Sequence, residues 1–181
     1  MPPRVVTAPF QGIGLIVPKA TLGADSATWT ITIPASIYSN LKIFFTGRTD
    51  GAAANERLLI RPNNNTTLTN LLGNTIFFVG GAVSGEEWRV NELSSIITGN
   101  IAGATNYQNG VEIDIYNYQS TTKNKAIHVS SDYTFSIAGA SGGFAESRGS
   151  YIDLNSITSV VFACSGVQKI LAGSTYVVYG F

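Results

Sequence analysis

The sequence is poor in charged residues, and this shortage limits the partners that the protein can have. Only 12% of its 181 residues are charged, and eleven basic residues balance eleven acidic ones, so the formal net charge is zero. That charged share is about half of the usual one for a soluble domain. Nucleic-acid binding depends on a basic patch, so no nucleic-acid partner is expected. Near-zero net charge favours self-association instead.

Cysteine and histidine are almost absent, which excludes most metal and nucleophilic sites. Cys164 is the single cysteine, so no disulfide can form within the chain, and we expect it to be a small core residue of the strand-like TSVVFACS. His128 is the single histidine. It falls on the face of KAIHV opposite Lys125 and Val129, so we expect it at the surface or in an interface. Neither a zinc site nor a nucleophile with its base is predicted.

Long apolar runs are also missing. No stretch approaches the roughly 20 apolar residues of a membrane-spanning helix, and prolines and glycines interrupt the apolar start of the chain. We therefore expect no membrane insertion and no recognisable export route. Without export, the sequon at Asn65 has no glycosylation meaning. The PNNNTT segment around it is interpreted as a turn in which Asn side chains cap the backbone.

Period-two alternation dominates the chain, whereas helical periodicity is scarce. In TWTITI, for example, Trp29, Ile31 and Ile33 face one way and the threonines face the other. About ten such segments are separated by loops rich in Gly, Asn, Ser and Asp, which is typical of an antiparallel sandwich. The long segments 97–110 and 138–150, interpreted as loops, favour a jelly roll over a meander. The predicted fold class is all-β, an antiparallel, jelly-roll-like β-sandwich of about ten strands.

The predicted strands are residues 28–33, 41–46, 57–61, 75–79, 86–93, 111–118, 125–129, 133–137, 157–164 and 175–179. In the last of them, TYVVY, we expect Tyr176 and Val178 on one face and Val177 and Tyr179 on the other, because successive side chains of a strand alternate. At least one of those faces is expected to be fully buried.

Residues 1–27 differ from the rest of the chain. They contain three prolines in the first nine positions and yet carry apolar side chains. We expect an extended N-terminal arm over residues 1–27, followed by a single sandwich domain over residues 28–181. The arm either forms an edge strand of its own sandwich or docks on a neighbouring subunit. In the second case the expected assembly contacts are Phe10, Leu15, Ile16 and Val17.

Glu112 and Asp114 are the one pair of acids with spacing suited to catalysis. Residues i and i+2 of a strand lie about 6.8 Å apart, and paired carboxylates about 5 to 9 Å apart hydrolyse glycosides. Alternating acids on the solvent side of a strand are nevertheless ordinary, and no cleft is visible in the sequence. GIG at residues 12–14 lacks the lysine of a phosphate-binding loop. We therefore predict no catalytic residue, no enzyme activity, no metal and no cofactor.

Three segments, in this order, resemble a recurrent pattern in tailed-bacteriophage virion proteins. Residues 33–72 contain an I-P-x-x-Y-x-x-L-like lead-in, two strands and an Asn-rich turn. Residues 111–131 contain VEIDIYNY, a polar turn and a lysine-containing strand, and residues 157–181 run from ITSVV through a Gly-Ser turn to an aromatic strand closing on Tyr-Gly. The resemblance implies a jelly-roll-like module, commonly trimeric, of capsid decoration proteins and of tail or head fibres. Two features depart from the pattern: PNNNTT replaces a frequent Asn-Gly-Asp turn, and the N-terminal arm has no counterpart.

From this resemblance we expect a non-enzymatic structural protein of the virion, made in the host bacterial cytoplasm. It would decorate or cement the capsid surface as a homotrimer, with the major capsid protein or another virion protein as its partner. The alternative is a tail or fibre module that recognises glycans on the host surface. Aromatic side chains that would stack on sugar rings in that case are Tyr107, Tyr116, Tyr118 and Tyr133.

Overall fold

The computed structural model is an all-β protein, and every strand pairing in it is antiparallel. It describes residues 12–51, 56–66, 71–79, 82–89, 93–97, 109–136, 141–164 and 166–181. Those residues form twelve strands. In chain order they are β1 Gly14–Thr21, β2 Thr28–Thr32, β3 Leu41–Gly47, β4 Glu56–Pro62, β5 Leu71–Val79, β6 Ala82–Arg89, β7 Leu93–Ile97, β8 Asn109–Ile115, β9 Lys125–Ser136, β10 Ser141–Tyr151, β11 Ser159–Cys164 and β12 Thr175–Gly180.

The strands form two sheets with jelly-roll connectivity. The larger sheet has the order β1-β12-β3-β8-β9-β10-β5-β6, and the smaller one has the order β2-β11-β4-β7. Four nested pairs define the roll: β2 with β11, β3 with β8, β4 with β7, and β5 with β6. These pairs alternate between the sheets, as in a long antiparallel ribbon wrapped around a core. The β9–β10 hairpin is inserted between β8 and β5, and β12 and β1 extend the larger sheet beyond β3.

The predicted antiparallel β-sandwich is thus confirmed, although several strand boundaries differ from the predicted ones. The segment 86–93, predicted as one strand, covers the end of β6 and the start of β7. The predicted strand 125–129 and residues 133–136 of the predicted strand 133–137 belong to the single strand β9, and residue 137 lies outside the described residues. The segment 138–150, predicted as a loop, contains most of β10, whose glycines and serines hide its strand character. It is a strand because both β9 and β5 pair with it along its length.

The core lies between the two sheets and is filled by every second residue of their strands. Along β3 and β8 buried residues alternate with more exposed ones, as expected for a sheet with one face covered. Aromatic rings join the layers: Phe45 packs against Phe162 with ring centroids 4.8 Å apart and against Trp29 at 6.4 Å. Cys164 is buried in β11 as predicted.

The described part of the N-terminal segment belongs to this sandwich. Residues 14–21 form β1, the edge strand of the larger sheet, which pairs with β12. Although β1 precedes the domain boundary predicted at residue 27, it is therefore part of the sheet. Gly14 lies opposite Gly180, and a Cβ at either position would collide with the side chain of Tyr38. The first strand residue of the GIG motif, Gly14, thus allows Tyr38 to pack closely against the sheet at this point.

The C-terminal strand β12 lies inside the larger sheet, between β1 and β3. Val178 is opposite the core residue Ile43, and Val177 is opposite the outward-facing Phe44, so the predicted assignment of faces is confirmed. The expected full burial of one face holds only in part. Val178 is fully buried, but Tyr176 is half-buried and packs on Trp29 with centroids 4.6 Å apart.

A group of bonded polar side chains closes one end of the sandwich; we call Asn63, Asn65, Lys125, Tyr151 and Asp153 the Asn63 cluster. Asn63 Oδ1 accepts hydrogen bonds from the backbone N–H groups of residues 158 and 159. Asn65 Nδ2 donates to the Tyr151 hydroxyl and to Asp153. Lys125 is fully buried, and its Nζ donates to the carbonyl oxygen of Asp153 at 2.7 Å. Capping by the PNNNTT turn, as predicted from its sequence, is therefore observed.

Candidate functional site

The outer face of the larger sheet carries two rows of side chains that run across its strands. Cα partners in neighbouring strands define both rows. The charged row consists of Lys42, Asp114, His128, Arg148 and Asn74. The pocket row consists of Phe44, Glu112, Ser130, Glu146 and Ile76. Because the opposite faces of these strands cover the core, both rows face away from it.

Lys42 joins the two rows electrostatically. Its Nζ lies 3.0 Å from Asp114 Oδ1 and also bonds to Glu112. Burial would lower the pKa of the Lys42 ammonium, but hydrogen bonds to Glu112 and Asp114 and their charges raise this pKa above its usual value. The two carboxylates that the sequence identified as a pair therefore share one cation. This arrangement holds both side chains against the sheet.

A pocket of about 180 Å³ opens beside Phe44, and we call it the Phe44 pocket. The β8–β9 register ends at Val111 and Ser131, and Gly110 next to it has open space where a Cβ would stand. The strands thus diverge next to a residue without a side chain, which leaves a depression in the sheet. The pocket is lined by Phe44, Phe45, Thr46, Gly110, Val111, Glu112, Ser130, Ser131 and Asp132.

One wall of the Phe44 pocket is aromatic and the rest is rich in oxygen. The Phe44 side chain is 38% exposed and meets the Tyr179 ring edge to face, with centroids 6.1 Å apart. Ser131 is 3% exposed, and its Oγ has no hydrogen-bond partner among the described residues. A buried hydroxyl without a partner costs about 1–3 kcal/mol. Ser131 lies on the same face of β9 as the buried Ile127 and Val129, so this hydroxyl points toward the core behind the pocket. The oxygen-bearing side chains of the lining that lie on outward positions are those of Thr46, Glu112, Ser130 and Asp132.

A second pocket of about 160 Å³ lies on the same face, and we call it the Arg148 pocket. It is lined by Asn74, Ile76, Glu146 and Arg148, which belong to the two rows defined above. Asn74 Oδ1 is buried and lacks a hydrogen-bond partner within the described part of the chain. In the charged row His128 lies between Asp114 and Arg148, and its Nε2 is likewise buried without a described partner. Unsatisfied polar atoms therefore recur along this face.

The structure distributes the residues singled out in the sequence over different environments. Glu112 and Asp114 lie on one outward face, as predicted, and His128 is half-buried between Asp114 and Arg148. Of the tyrosines considered for sugar stacking, Tyr118 is 1% exposed and bonded to Ser36, so it is not available to a ligand.

The other aromatic candidates give a mixed result. Tyr116 is 39% exposed and packs edge to face on Phe181, with centroids 5.9 Å apart. Tyr107 lies outside the described residues. Tyr133 lies in β9, but its side chain is not among those described.

The residues predicted as assembly contacts also differ in their exposure. Leu15 is 58% exposed, whereas Ile16 and Val17 are half-buried and pack against the protein's own core. Phe10 lies outside the described residues. Leu15 is thus the member of this group whose side chain the structure shows as accessible.

Sequence reasoning missed the aromatic wall of the Phe44 pocket and the unpartnered hydroxyl of Ser131 behind it. The alternation in LKIFFT places Leu41, Ile43 and Phe45 on the core face, so it also placed Phe44 among the outward residues. An aromatic residue on an otherwise polar face was the available signal. Ser131 gave none, because its burial depends on the pairing of β9 with β8 and β10.

Within the described residues, no helix is long and apolar enough to cross a membrane. Across the same residues, no group of three or more His, Cys, Asp or Glu side chains is arranged to hold a metal ion. The acids near the Phe44 pocket therefore do not form such a group.

Comparisons with known proteins leave the family open. No family model matches the chain, and no curated protein matches it. Among solved structures, a viral chain described as "Structure of infectious bursal disease virus Gx strain" shares 15% sequence identity with it, at a TM-score of 0.14. The match covers 98% of the present chain and 43% of the viral one, so this chain spans less than half the length of that protein. A TM-score this low carries no structural argument.

Proposed function

We propose that the protein is a non-enzymatic structural component of a tailed-bacteriophage virion that decorates or cements the capsid as a homotrimer. The sequence resemblance motivates the proposal, and the jelly-roll sandwich is consistent with it. The observation that carries it is the exposed apolar character of the edge strand β1 in a chain of zero net charge. Ile13 and Leu15, beside and within β1, are 73% and 58% exposed. Such side chains favour burial between protein subunits.

The same edge strand favours a closed oligomer over an open-ended fibre. Pro18 provides no backbone N–H, and Lys19 places a charge on the edge. The register of β1 with β12 also shifts twice, between Leu15 and Val17 and between Val17 and Ala20. These features oppose the addition of a further strand from another molecule. Association is then expected through side chains at the edge, in a closed symmetric arrangement.

Light scattering coupled to size-exclusion chromatography tests the trimer. We expect the mass of three chains at micromolar concentration, and the mass of one chain for Leu15→Glu, because a buried unpaired carboxylate opposes association. Leu154→Glu is the control, since Leu154 is 50% exposed but lies far from β1 in the chain. A monomeric wild-type protein would contradict the trimer, as would a trimer that tolerates Leu15→Glu.

Electron cryomicroscopy of the virion tests the position. Density of the protein on the capsid shell is the expected result, and its absence from purified particles would overturn the proposal. Density on the tail would instead support a second candidate function, a receptor-binding module for host surface glycans. The Phe44 pocket is the observation that favours this second candidate.

A further inference from the structure

We infer that the Phe44 pocket binds one ring of a neutral saccharide. This inference deepens the second candidate function and depends neither on the trimer nor on the capsid. A hexose presents hydroxyl groups around its rim and an apolar C–H surface on its face. The Phe44 pocket offers the two matching components, oxygen atoms that accept or donate hydrogen bonds and an exposed aromatic ring.

The oxygen atoms of the pocket suit hydroxyl groups. Ser130 and Thr46, at outward-facing positions of β9 and β3, contribute hydroxyls. Glu112 and Asp132 add carboxylates, which accept short, strong hydrogen bonds. A sugar hydroxyl can donate to a carboxylate and accept from a serine at the same time.

The aromatic wall is held in place before any ligand arrives. Phe44 projects from β3, and the Tyr179 ring of the neighbouring strand supports it edge to face. Phe44 remains 38% exposed despite this support. A rigid, partly exposed ring loses little conformational entropy when an apolar surface packs on it. The C–H face of a sugar is such a surface.

Local charge narrows the class of ligand. Glu112, Asp114 and Asp132 place three carboxylates around the pocket, and Lys42, which is ion-paired with the first two, supplies a single ammonium. An anionic ligand would be repelled by this excess of negative charge. The Lys42 Nζ also lies 5.8 Å from the centroid of the Phe44 ring, so this protein cation already interacts with the aromatic wall. A neutral polyol avoids both conflicts.

The outer face can accommodate more than one sugar unit. The pocket row leads from Phe44 across β8 and β9 to Glu146 and Ile76 in the Arg148 pocket. Four strand spacings of about 4.8 Å make this path roughly 19 Å long. Asn74 Oδ1, buried and without a described partner, lies at its far end. An oligosaccharide laid along the row would contact both pockets.

Backbone amide shifts in two-dimensional nuclear magnetic resonance spectra localise the binding. We would titrate the full chain with glucose, galactose, mannose and N-acetylglucosamine, and separately with glucuronic acid and tetramethylammonium. At least one neutral sugar is expected to shift the amides of Gly110, Ser130, Ser131 and Asp132. Glucuronic acid and tetramethylammonium are expected to leave these amides unshifted.

Two variants and one control make the assignment specific. Phe44→Ala removes the aromatic wall and should weaken binding about tenfold or more. Gly110→Val fills the depression from a position with free space for a side chain and should abolish binding. Phe144→Ala is the control, because Phe144 is a 40% exposed aromatic of the same sheet that does not line the pocket. It should bind the monosaccharide within about twofold of wild type.

Several outcomes would overturn the inference. The first is the absence of shifts with all four neutral sugars, and the second is a set of shifts that map away from the pocket. The third is unchanged binding in Gly110→Val. This variant tests the site even if Phe44→Ala disturbs the fold. Preferential binding of glucuronic acid or tetramethylammonium would also refute it. Leu15→Glu separates this inference from the proposed assembly, since a monomer that still binds the sugar leaves only the trimer in question.

Discussion

Polar groups in the Asn63 cluster are bonded to one another, whereas the hydroxyl of Ser131, on the core face of β9 behind the Phe44 pocket, has no described partner. In the cluster, Tyr151, Asn65 and Asp153 share hydrogen bonds of 3.2–3.3 Å, and Lys125 Nζ donates to a carbonyl oxygen. Ser131 is likewise buried, and its Oγ lacks such a partner. Satisfied polar groups stabilise a fold, and unsatisfied ones cost stability. The difference assigns a stabilising role to the Asn63 cluster and none to the hydroxyl of Ser131.

The largest loss of stability is expected for Asn63→Ala. The substitution removes the acceptor for two backbone N–H groups, and alanine adopts the φ of 52° at this position less readily than asparagine does. We expect the free energy of unfolding, measured by chemical denaturation, to fall by about 2–4 kcal/mol.

Asn64→Gly is the comparison variant for that prediction. Asn64 has a similar φ of 49° and is exposed. Glycine adopts this conformation without a Cβ, so stability should be unchanged or slightly higher. Equal losses in the two variants would show that Asn63 does not act through its side chain.

A smaller loss is expected for Tyr151→Phe. The Tyr151 hydroxyl bonds to Asn65 and Asp153 within the Asn63 cluster, and burial raises the pKa of this phenol. Its removal should lower the free energy of unfolding by about 1–2 kcal/mol. Tyr116→Phe, at a 39% exposed position, should change it by less than about 0.5 kcal/mol. If Tyr151→Phe proves as stable as Tyr116→Phe, the cluster is not a stabilising network.

Acidification probes the same cluster through Asp153. A hydrogen bond from the backbone N–H of Asn155 lowers the pKa of the Asp153 carboxyl, and the Tyr151 hydroxyl and the Lys125 charge act in the same direction. The folded state therefore favours the ionised carboxylate. This stabilisation is complete above the unfolded pKa of about 3.9 and is lost as the pH falls through the lower, folded pKa.

Unfolding of wild type and of Asp153→Asn should be compared at neutral pH and below pH of about 4. Acid should destabilise the wild type more than the variant, which carries no titrating group at this position. Asp132→Asn, at an exposed position outside the cluster, is the control and should behave like the wild type. An acid loss of the same size in Asp153→Asn and in the wild type would refute the assigned role.

Much of the fold could be predicted from the sequence because one face of most strands covers the core. The alternation in TWTITI, LKIFFT and VEIDI indicated both the strands and the faces that β2, β3 and β8 present to the core. The sequence of β10 shows no such alternation, because glycine and serine do not distinguish a buried face from an exposed one. Its strand conformation follows from the two neighbours that pair with it, which is a property of the tertiary structure.

The pocket could be predicted only in part, for a related reason. Glu112 and Phe44 each had a predicted face, but their adjacency depends on the register between β3 and β8. Ser131 and Gly110 become significant only where β8 and β9 diverge. A site assembled from three strands distant in the chain requires the registers, and sequence alternation alone does not specify them.

Two inward-facing serines of the larger sheet provide the most direct test of the contrast between satisfied and unsatisfied groups. Ser147 is 1% exposed and bonded to Thr75 at 2.6 Å, whereas Ser131 is 3% exposed and has no described partner. The measurement is the free energy of unfolding of Ser147→Ala and Ser131→Ala under identical conditions. We predict a loss of about 1–3 kcal/mol for Ser147→Ala, and no loss or a small gain for Ser131→Ala. A loss for Ser131→Ala as large as that for Ser147→Ala would contradict the account.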